Sequence, residues 1–275
     1  GRWNNWNHSD TPELLAALAI CSWVQTVWNW RPIIAVTGAT NTGKTTLIEK
    51  TIPHLFGKLA LSISKPTEAG LRQLIGNSAC IALVDEFEVD KHRQAVMELV
   101  RTSGRGSQIA RGTANQKGAS FGLRHIIWMG AIEFGMSREA DRNRMILMEL
   151  GAIKPGPRLV IPPVEDLADL GMRLLAIAMR FWKPCRAMAT DLCHLPFPDV
   201  DNRVSESYSL PIAMICTIMG EDVAAGRKRM MDSFTERGLV KGAVSDEEDL
   251  LSAIFGSQVM VGGGRQMTIG ELLSA

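Results

Sequence analysis

The eight-residue segment Gly38-Ala39-Thr40-Asn41-Thr42-Gly43-Lys44-Thr45 constrains this chain more than any other feature. In the pattern G-x-x-x-x-G-K-T the glycines let the backbone curl, so that successive N–H groups aim at phosphate oxygens. Such a loop works between a strand and a helix, and both are legible. Pro32 to Thr37 is short and β-branched and reads as a buried strand, whereas Thr46 to Ile52 can continue as a helix. The positive N-terminal end of that helix adds to the anion field. Lys44 is then expected to reach the β- and γ-phosphates of a nucleotide and the Thr45 hydroxyl to hold Mg²⁺, with Thr46 completing the phosphate-binding stretch.

A second motif follows about forty residues on. Cys80 to Asp85 is an apolar run that ends abruptly in Asp85 and Glu86. This is the form of a buried strand whose C-terminal tip carries a metal-binding acid. Ligands of open α/β sheets collect at the carboxyl ends of the strands, so both motifs are expected to meet at one edge. Asp85 would bind Mg²⁺ through water, and Glu86 would polarise an attacking water. The charges that follow, Glu88, Asp90 and Lys91, read as a solvated loop.

The composition limits what else the chain can be. With 275 residues, 46% of them hydrophobic, it can bury a full core, and a formal net charge of +1 supplies no global field for nucleic acid. The five cysteines (Cys21, Cys80, Cys185, Cys193 and Cys216) are scattered and lack metal-ligand spacing, as expected of reduced thiols. Cys185, Cys193 and His194 fit no common zinc motif. Leu14 to Trp30 is uncharged but contains Gln25, Thr26 and Asn29, and reads as a packed helix capped by Asp10 or Thr11, with Pro12 in its first turn, rather than a membrane span. No membrane partner is expected.

The remaining segments alternate. Lys58 to Ile63, Gln108 to Thr113, Phe121 to Ile132 and Arg144 to Leu150 read as strands, and Thr67 to Asn77 and Asp90 to Arg101 as helices. The expected fold is α/β, a parallel sheet flanked by helices. Four prolines between Pro155 and Pro163 mark a boundary, beyond which Val164 to Trp182 and Leu210 to Thr235 are mostly helical. Three parts are expected: a helical segment, 1–30, packing on the core; a core, 31–153; and a mainly helical region, 154–275. Ser245 to Glu248 reads as a capping box for a helix over Leu250 to Phe255. Thr268 to Glu271 is a second, which opens a helix just before the sequence stops and suggests that the region continues in a longer protein.

Between Glu98 and Glu133 no acidic residue occurs, whereas Arg101, Arg105, Arg111, Lys117 and Arg124 all fall there. Folded as a hairpin, such a segment can track a phosphate backbone. The tryptophans Trp3, Trp6, Trp23, Trp28 and Trp30 cluster near the N-terminus and read as packing residues.

Taken together, Gly38 to Thr45, Asp85-Glu86, the basic hairpin and the run Ala140 to Leu150 resemble the AAA+ P-loop ATPase module of phage and plasmid primase-helicases, related to the superfamily-three helicases. The resemblance covers roughly residues 10–150. It implies ATP and Mg²⁺ as cofactors, an oligomeric and usually hexameric ring, translocation along single-stranded DNA, and residence in the host-cell cytoplasm. It also implies that an arginine from the neighbouring subunit completes the site. Arg144, immediately before an apolar strand, is picked out for that role; Arg142 is second and Arg138 third. Arg111 and Lys117 become the DNA-contacting hairpin. One position departs from the pattern. Such ATPases carry Asn, Ser or Thr at the tip of the strand after the hairpin, and Ile126 to Glu133 has none within the strand. A nucleotide-gated scaffold, or an ATPase that remodels protein, remains the alternative.

Overall fold

The computed structural model describes residues 5–87, 93–106, 108–112, 118–132, 134, 139–153, 161–240, 254, 258–261, 265–269 and 273; for 108–112, 118–121, 258–261 and 265–268 it describes the backbone alone. The chain forms α1 (Thr11–Trp23), β1 (Ile33–Gly38), α2 (Lys44–Lys50), α3 (Ile52–Phe56), β2 (Ala60–Ser64), α4 (Glu68–Ile75), β3 (Ile81–Asp85) and α5 (Arg93–Arg105). A hairpin of β4 (Gln108–Gly112) and β5 (Gly118–Gly122) follows, then β6 (Ile127–Ala131), α6 (Glu139–Arg142) and β7 (Met145–Leu150). The helices α7 (Val164–His194), α8 (Asn202–Met219) and α9 (Val223–Glu236), and a last hairpin of β8 (Gln258–Val261) and β9 (Arg265–Thr268), complete it.

Five strands form one all-parallel sheet in the order β2-β3-β6-β1-β7. Its central strands read as unbroken apolar runs because both of their faces are covered. The two-residue period divides them cleanly. Ile34, Val36, Ile81, Leu83, Trp128, Ile146 and Met148 join one buried cluster with α1, α2, α3 and the C-terminal helices. Ile33, Ala35, Ala82, Val84, Ile127 and Met129 join a second with α4 and α5. The first cluster runs without interruption through α1, the sheet, α7, α8 and α9. Along the edge strand β7, Asn7 N–H donates to Glu149 O at 3.0 Å and Gly151 N–H to Asn5 O at 2.7 Å, so the N-terminal segment covers the end of that edge.

Several element boundaries differ from the sequence expectation. The first helix stops at Trp23 rather than running on to Trp30. Gln25 is drawn aside, its amide nitrogen donating to Ala79 O and Cys80 O and its amide oxygen accepting from Ile126 N–H. Asp10 occupies the N-cap position without capping. Its carboxylate instead accepts from Ser233 and Arg237 of the α9 end. The helix expected to end at Trp182 continues through Pro184 to His194, because Cys185 and Leu192 are fully buried and their burial outweighs the proline's cost of about 3 kcal/mol. Likewise α8 starts at Asn202, well before Leu210, where Asp201 Oδ1 accepts from Arg203 N–H at 2.7 Å. Phe121 to Ile132 is not one strand, since β5 ends at Gly122 and β6 begins at Ile127. Thr268 ends β9, and the next residue, Ile269, is already helical, as is Leu273. Among the described residues no helix is long and apolar enough to cross a membrane.

Candidate functional site

Residues 39–46 leave the C-terminal end of β1 and enter α2, and they line a cleft of about 610 Å³ together with Glu49, Lys65, Asp85, Glu86, Ala131 and Ile132. The two motifs separated in sequence are thus brought to one sheet edge, as strand-end placement requires. Two glycines make the loop possible. A Cβ on Gly38 would stand 2.6 Å from Thr42 Oγ1 and 2.7 Å from Leu150 O, so β1 can turn only without one. Gly43, with φ +96°, is the N-cap of α2.

The loop is braced from within and from outside. Thr42 is buried, and its hydroxyl donates to Ala39 O at 2.9 Å, so its side chain holds the loop. Asn5, also buried, donates from one amide nitrogen to Thr42 O at 3.1 Å and Gly151 O at 2.8 Å. The N-terminal segment therefore buttresses the curl. Thr37 Oγ1 donates to Ile132 O at 2.7 Å and ties the end of β1 to the tip of β6.

Asp85 is only 6% exposed and ends β3 against β6. Gly130 makes the room it needs, since a Cβ there would lie 2.5 Å from Asp85 Oδ1. The β3–β6 ladder ends at Val84–Met129, after which Phe87 N–H donates to Gly130 O at 2.9 Å. The turn between them carries Glu86 with φ +55°. Among the described non-glycine residues four have left-handed backbone, and three of these (Asn41, Lys65 and Glu86) line this cleft. Backbone in that region costs of order 1–3 kcal/mol per residue and persists where surrounding structure enforces it, commonly at functional sites.

Sequence reasoning missed two members of this group. Lys65 follows β2, and its Nζ is 3.5 Å from Glu86 Oε2 with both side chains more than half exposed, a pair worth ~0–1 kcal/mol that a stronger anion can break. Glu49 lies one helical turn beyond Thr45 on α2. Burial, then the Asp85 charge and a hydrogen bond with it, then Glu86, raise the Glu49 carboxyl above the ordinary range. The signal for Glu49 is its four-residue spacing from Thr45, and for Lys65 its place just past a strand end, where Ser64 is in register with Asp85.

The arrangement pairs an anion cradle with hard oxygen donors. The Thr45 hydroxyl and Asp85 are of the kind that hold Mg²⁺, and no group of three or more metal-ligating side chains occurs among the described residues. That donor set fits an ion which keeps several waters and takes phosphate oxygens from a substrate.

The other expected residues lie elsewhere. Arg144 stands immediately before β7, and its carbonyl accepts from Ile33 N–H at 3.3 Å. The far end of that pairing sets Gly38 against Leu150, so six strand residues, about 20 Å, separate Arg144 from the loop of its own chain. No arginine side chain spans that gap. The Arg144 guanidinium donates to Ala140 O, and Arg142 is exposed at the end of α6. Asp141 pairs with Arg101, Nε to Oδ1 at 2.7 Å, rather than with either of them. Arg111 lies on β4 opposite Ala119. Its side chain, together with Glu88, Asp90, Lys91, Lys117, Glu133, Arg138, the Ser245–Glu248 box and most of the helix expected after it, lies outside the described residues. Among the packing tryptophans, Trp23 meets Phe56 edge-on at 5.5 Å and Trp28 Nε1 donates to Cys21 O at 2.8 Å. Compared with known proteins, the chain matches no protein-family model and no curated sequence.

Proposed function

We propose that this chain is a P-loop ATPase of AAA+ type that hydrolyses ATP with Mg²⁺ and acts as an oligomeric ring on single-stranded DNA, a helicase or translocase of phage or mobile-element replication. The observation that carries the reading is the convergence of residues 39–46 with Asp85 and Glu86 in one cleft at the C-terminal edge of a parallel sheet. Backbone N–H groups of the loop bind the phosphates, and Lys44 neutralises the β- and γ-oxygens. Thr45 and Asp85 hold Mg²⁺, which when bound offsets charge on the transferred phosphoryl. Glu86, pushed outward by its left-handed turn, orients and polarises the attacking water. Arg144 is too far from its own loop, so it serves a neighbour's, where such an arginine is worth ~10³–10⁵ in rate. Support for DNA is narrower. It comes from the acid-free stretch between Glu98 and Glu133, ten residues of which pair as an antiparallel hairpin with Arg111 on one arm and Lys117 just before the other.

Hydrolysis of ATP with and without single-stranded DNA tests the reading. Turnover is expected to rise with DNA, to vanish in Lys44→Ala and Glu86→Gln, and to lose its DNA stimulation when Arg111 and Lys117 are reversed to Glu. Absence of ATP binding by the wild-type chain refutes it. One feature favours a second reading, a nucleotide-gated scaffold: the described residues at the tip of β6 are Gly130, Ala131 and a half-exposed Ile132, none of which has a polar side chain to help position water. Tight ATP binding without turnover would select it.

A further inference from the structure

Among the described residues lining the cleft two are cations, and the reaction proposed above uses one of them. Lys44 belongs to the loop, whereas Lys65 enters from the far side, just past the end of β2. Strand β2 stands three places from β1, about 14 Å across the sheet, so its tip starts remote from the loop. Ser64 is in register with Asp85, which sets Lys65 and Glu86 one step beyond a pair of facing residues, and Lys65 Nζ lies 3.5 Å from Glu86 Oε2. The backbone of Lys65 is left-handed, φ +48°, although Pro66 follows it and a proline favours extended backbone in the residue before. The ion pair does not account for that turn. With side chains 69% and 55% exposed, it stabilises by less than left-handed backbone costs. Such strain, held in place by its surroundings, clusters at functional sites. Across the same cleft, the described residues at the tip of β6 offer no polar side chain.

We propose that Lys65 is a catalytic residue that binds the terminal phosphoryl group of ATP, supplying from the end of β2 the polar contact that the tip of β6 lacks, and that it makes the cleft distinguish ATP from ADP. The inference rests on the nucleotide reading above and adds a residue to it. Glu86 holds Lys65 with a single negative charge. A terminal phosphoryl group carries about two, and its oxygens accept charge-assisted hydrogen bonds from an ammonium, so ATP draws Lys65 off the carboxylate. The ammonium keeps its proton throughout. Its charge then offsets the charge on the transferred group, and Glu86 is left to the attacking water. ADP has no third phosphoryl group to compete and leaves the Lys65–Glu86 pair intact. Neither side chain is buried, and lysine's flexible four-carbon stem lets the ammonium follow the phosphate without moving the fold.

The test uses the full chain, with fluorescent-ATP and fluorescent-ADP titrations and turnover as readouts. Lys65→Met is expected to weaken ATP binding by about tenfold or more, as the loss of a hydrogen bond between charged groups implies, while ADP binding stays within about twofold. Its kcat should fall by about tenfold or more. Lys65→Arg keeps the charge and is expected to restore most of the preference for ATP, which separates a lost contact from a damaged fold; melting curves accompany each variant. The same loss of preference should appear when Lys65→Met is added to Glu86→Gln, because the phosphoryl contact does not need the carboxylate. Equal weakening of ATP and ADP overturns the inference, as does an ATP preference unchanged in Lys65→Met. A loss that disappears in the Glu86→Gln background also overturns it and leaves Lys65 as a positioning residue for Glu86. A wild-type chain that binds ATP and ADP equally well overturns this inference alone, whereas one that binds neither refutes the nucleotide reading beneath it.

Discussion

Replacing Gly130 by Ala should separate catalysis from folding. The new Cβ would sit 2.5 Å from Asp85 Oδ1 and 3.4 Å from its Cγ. Comfortable carbon–oxygen separation lies near 3.5 Å, so the carboxylate must retreat by about 1 Å. Asp85 is 6% exposed, which leaves it little freedom except to rotate out of its position beside the loop. A misplacement of that size in a reacting constellation costs about 10²-fold in rate, or ~2.7 kcal/mol of barrier. The fold should lose less. Overpacking costs about 1–3 kcal/mol, and relief from a strand glycine returns about 0.5–1. At ~2–4 °C per kcal/mol for a chain of this size, Tm should fall by only a few degrees. Mg²⁺-dependent ATP hydrolysis measured beside thermal melting decides the matter, with fluorescent-ATP binding in EDTA expected to stay close to wild type. A variant that turns over within twofold of wild type would show that the Asp85 carboxylate does not depend on the space Gly130 leaves.

Three further perturbations test the scaffold. His125 is buried, its Nδ1 accepts from Arg124 N–H at 3.2 Å and its Nε2 donates to Ser78 O at 2.9 Å, a pattern that only the neutral ring satisfies. Burial, with Arg31 adding to it, lowers its pKa, so the unfolded chain binds the proton more readily; stability is full above the unfolded value of about 6.5 and is lost as pH falls below it. The Tm gap between wild type and His125→Gln should therefore narrow from pH 7.5 to pH 5.5, and a gap that widens would contradict the assignment. Gly171→Ala on α7 would put a Cβ 1.9 Å from the Leu55 carbonyl oxygen on α3, backbone that cannot step aside, so denaturant unfolding should show a loss of about 3 kcal/mol or more. Arg237 bonds both Asp10 oxygens, Thr11 Oγ1 and Leu147 O with its side chain 3% exposed, whereas that of Asp10 is 22% exposed; Arg237→Ala should cost about 2–3 kcal/mol, below the range for a fully buried pair.

Much of the site is legible in the order of residues alone. The Gly38–Thr45 pattern, the carboxylates after an apolar run and the strand-end rule together lead to a single cleft containing residues 39–46, Asp85 and Glu86. Long-range competition defeats the local rules elsewhere. Asp10 looks like a helix cap until Arg237, more than two hundred residues away, takes its carboxylate. Gln25 looks helical until the strand ends at Cys80 and Ile126 claim its amide. The role of Gly130 is invisible in sequence, because the atom that forbids a side chain there belongs to Asp85 on the adjacent strand.

The chemistry of the loop, the acids and the apolar runs is written in residue order alone, because each depends on residues a few positions apart and on the period of one element. Which of those elements meet is set by the packing of the whole chain. The order β2-β3-β6-β1-β7 puts β6 between the two motif strands, and the length of β7 holds Arg144 away from its own loop. The packing of α5 and α8 against Trp30 gathers Arg105 and Arg203, which lie about a hundred residues apart in the chain. Such meetings follow from how buried faces fit across long loops, and no local spacing encodes them.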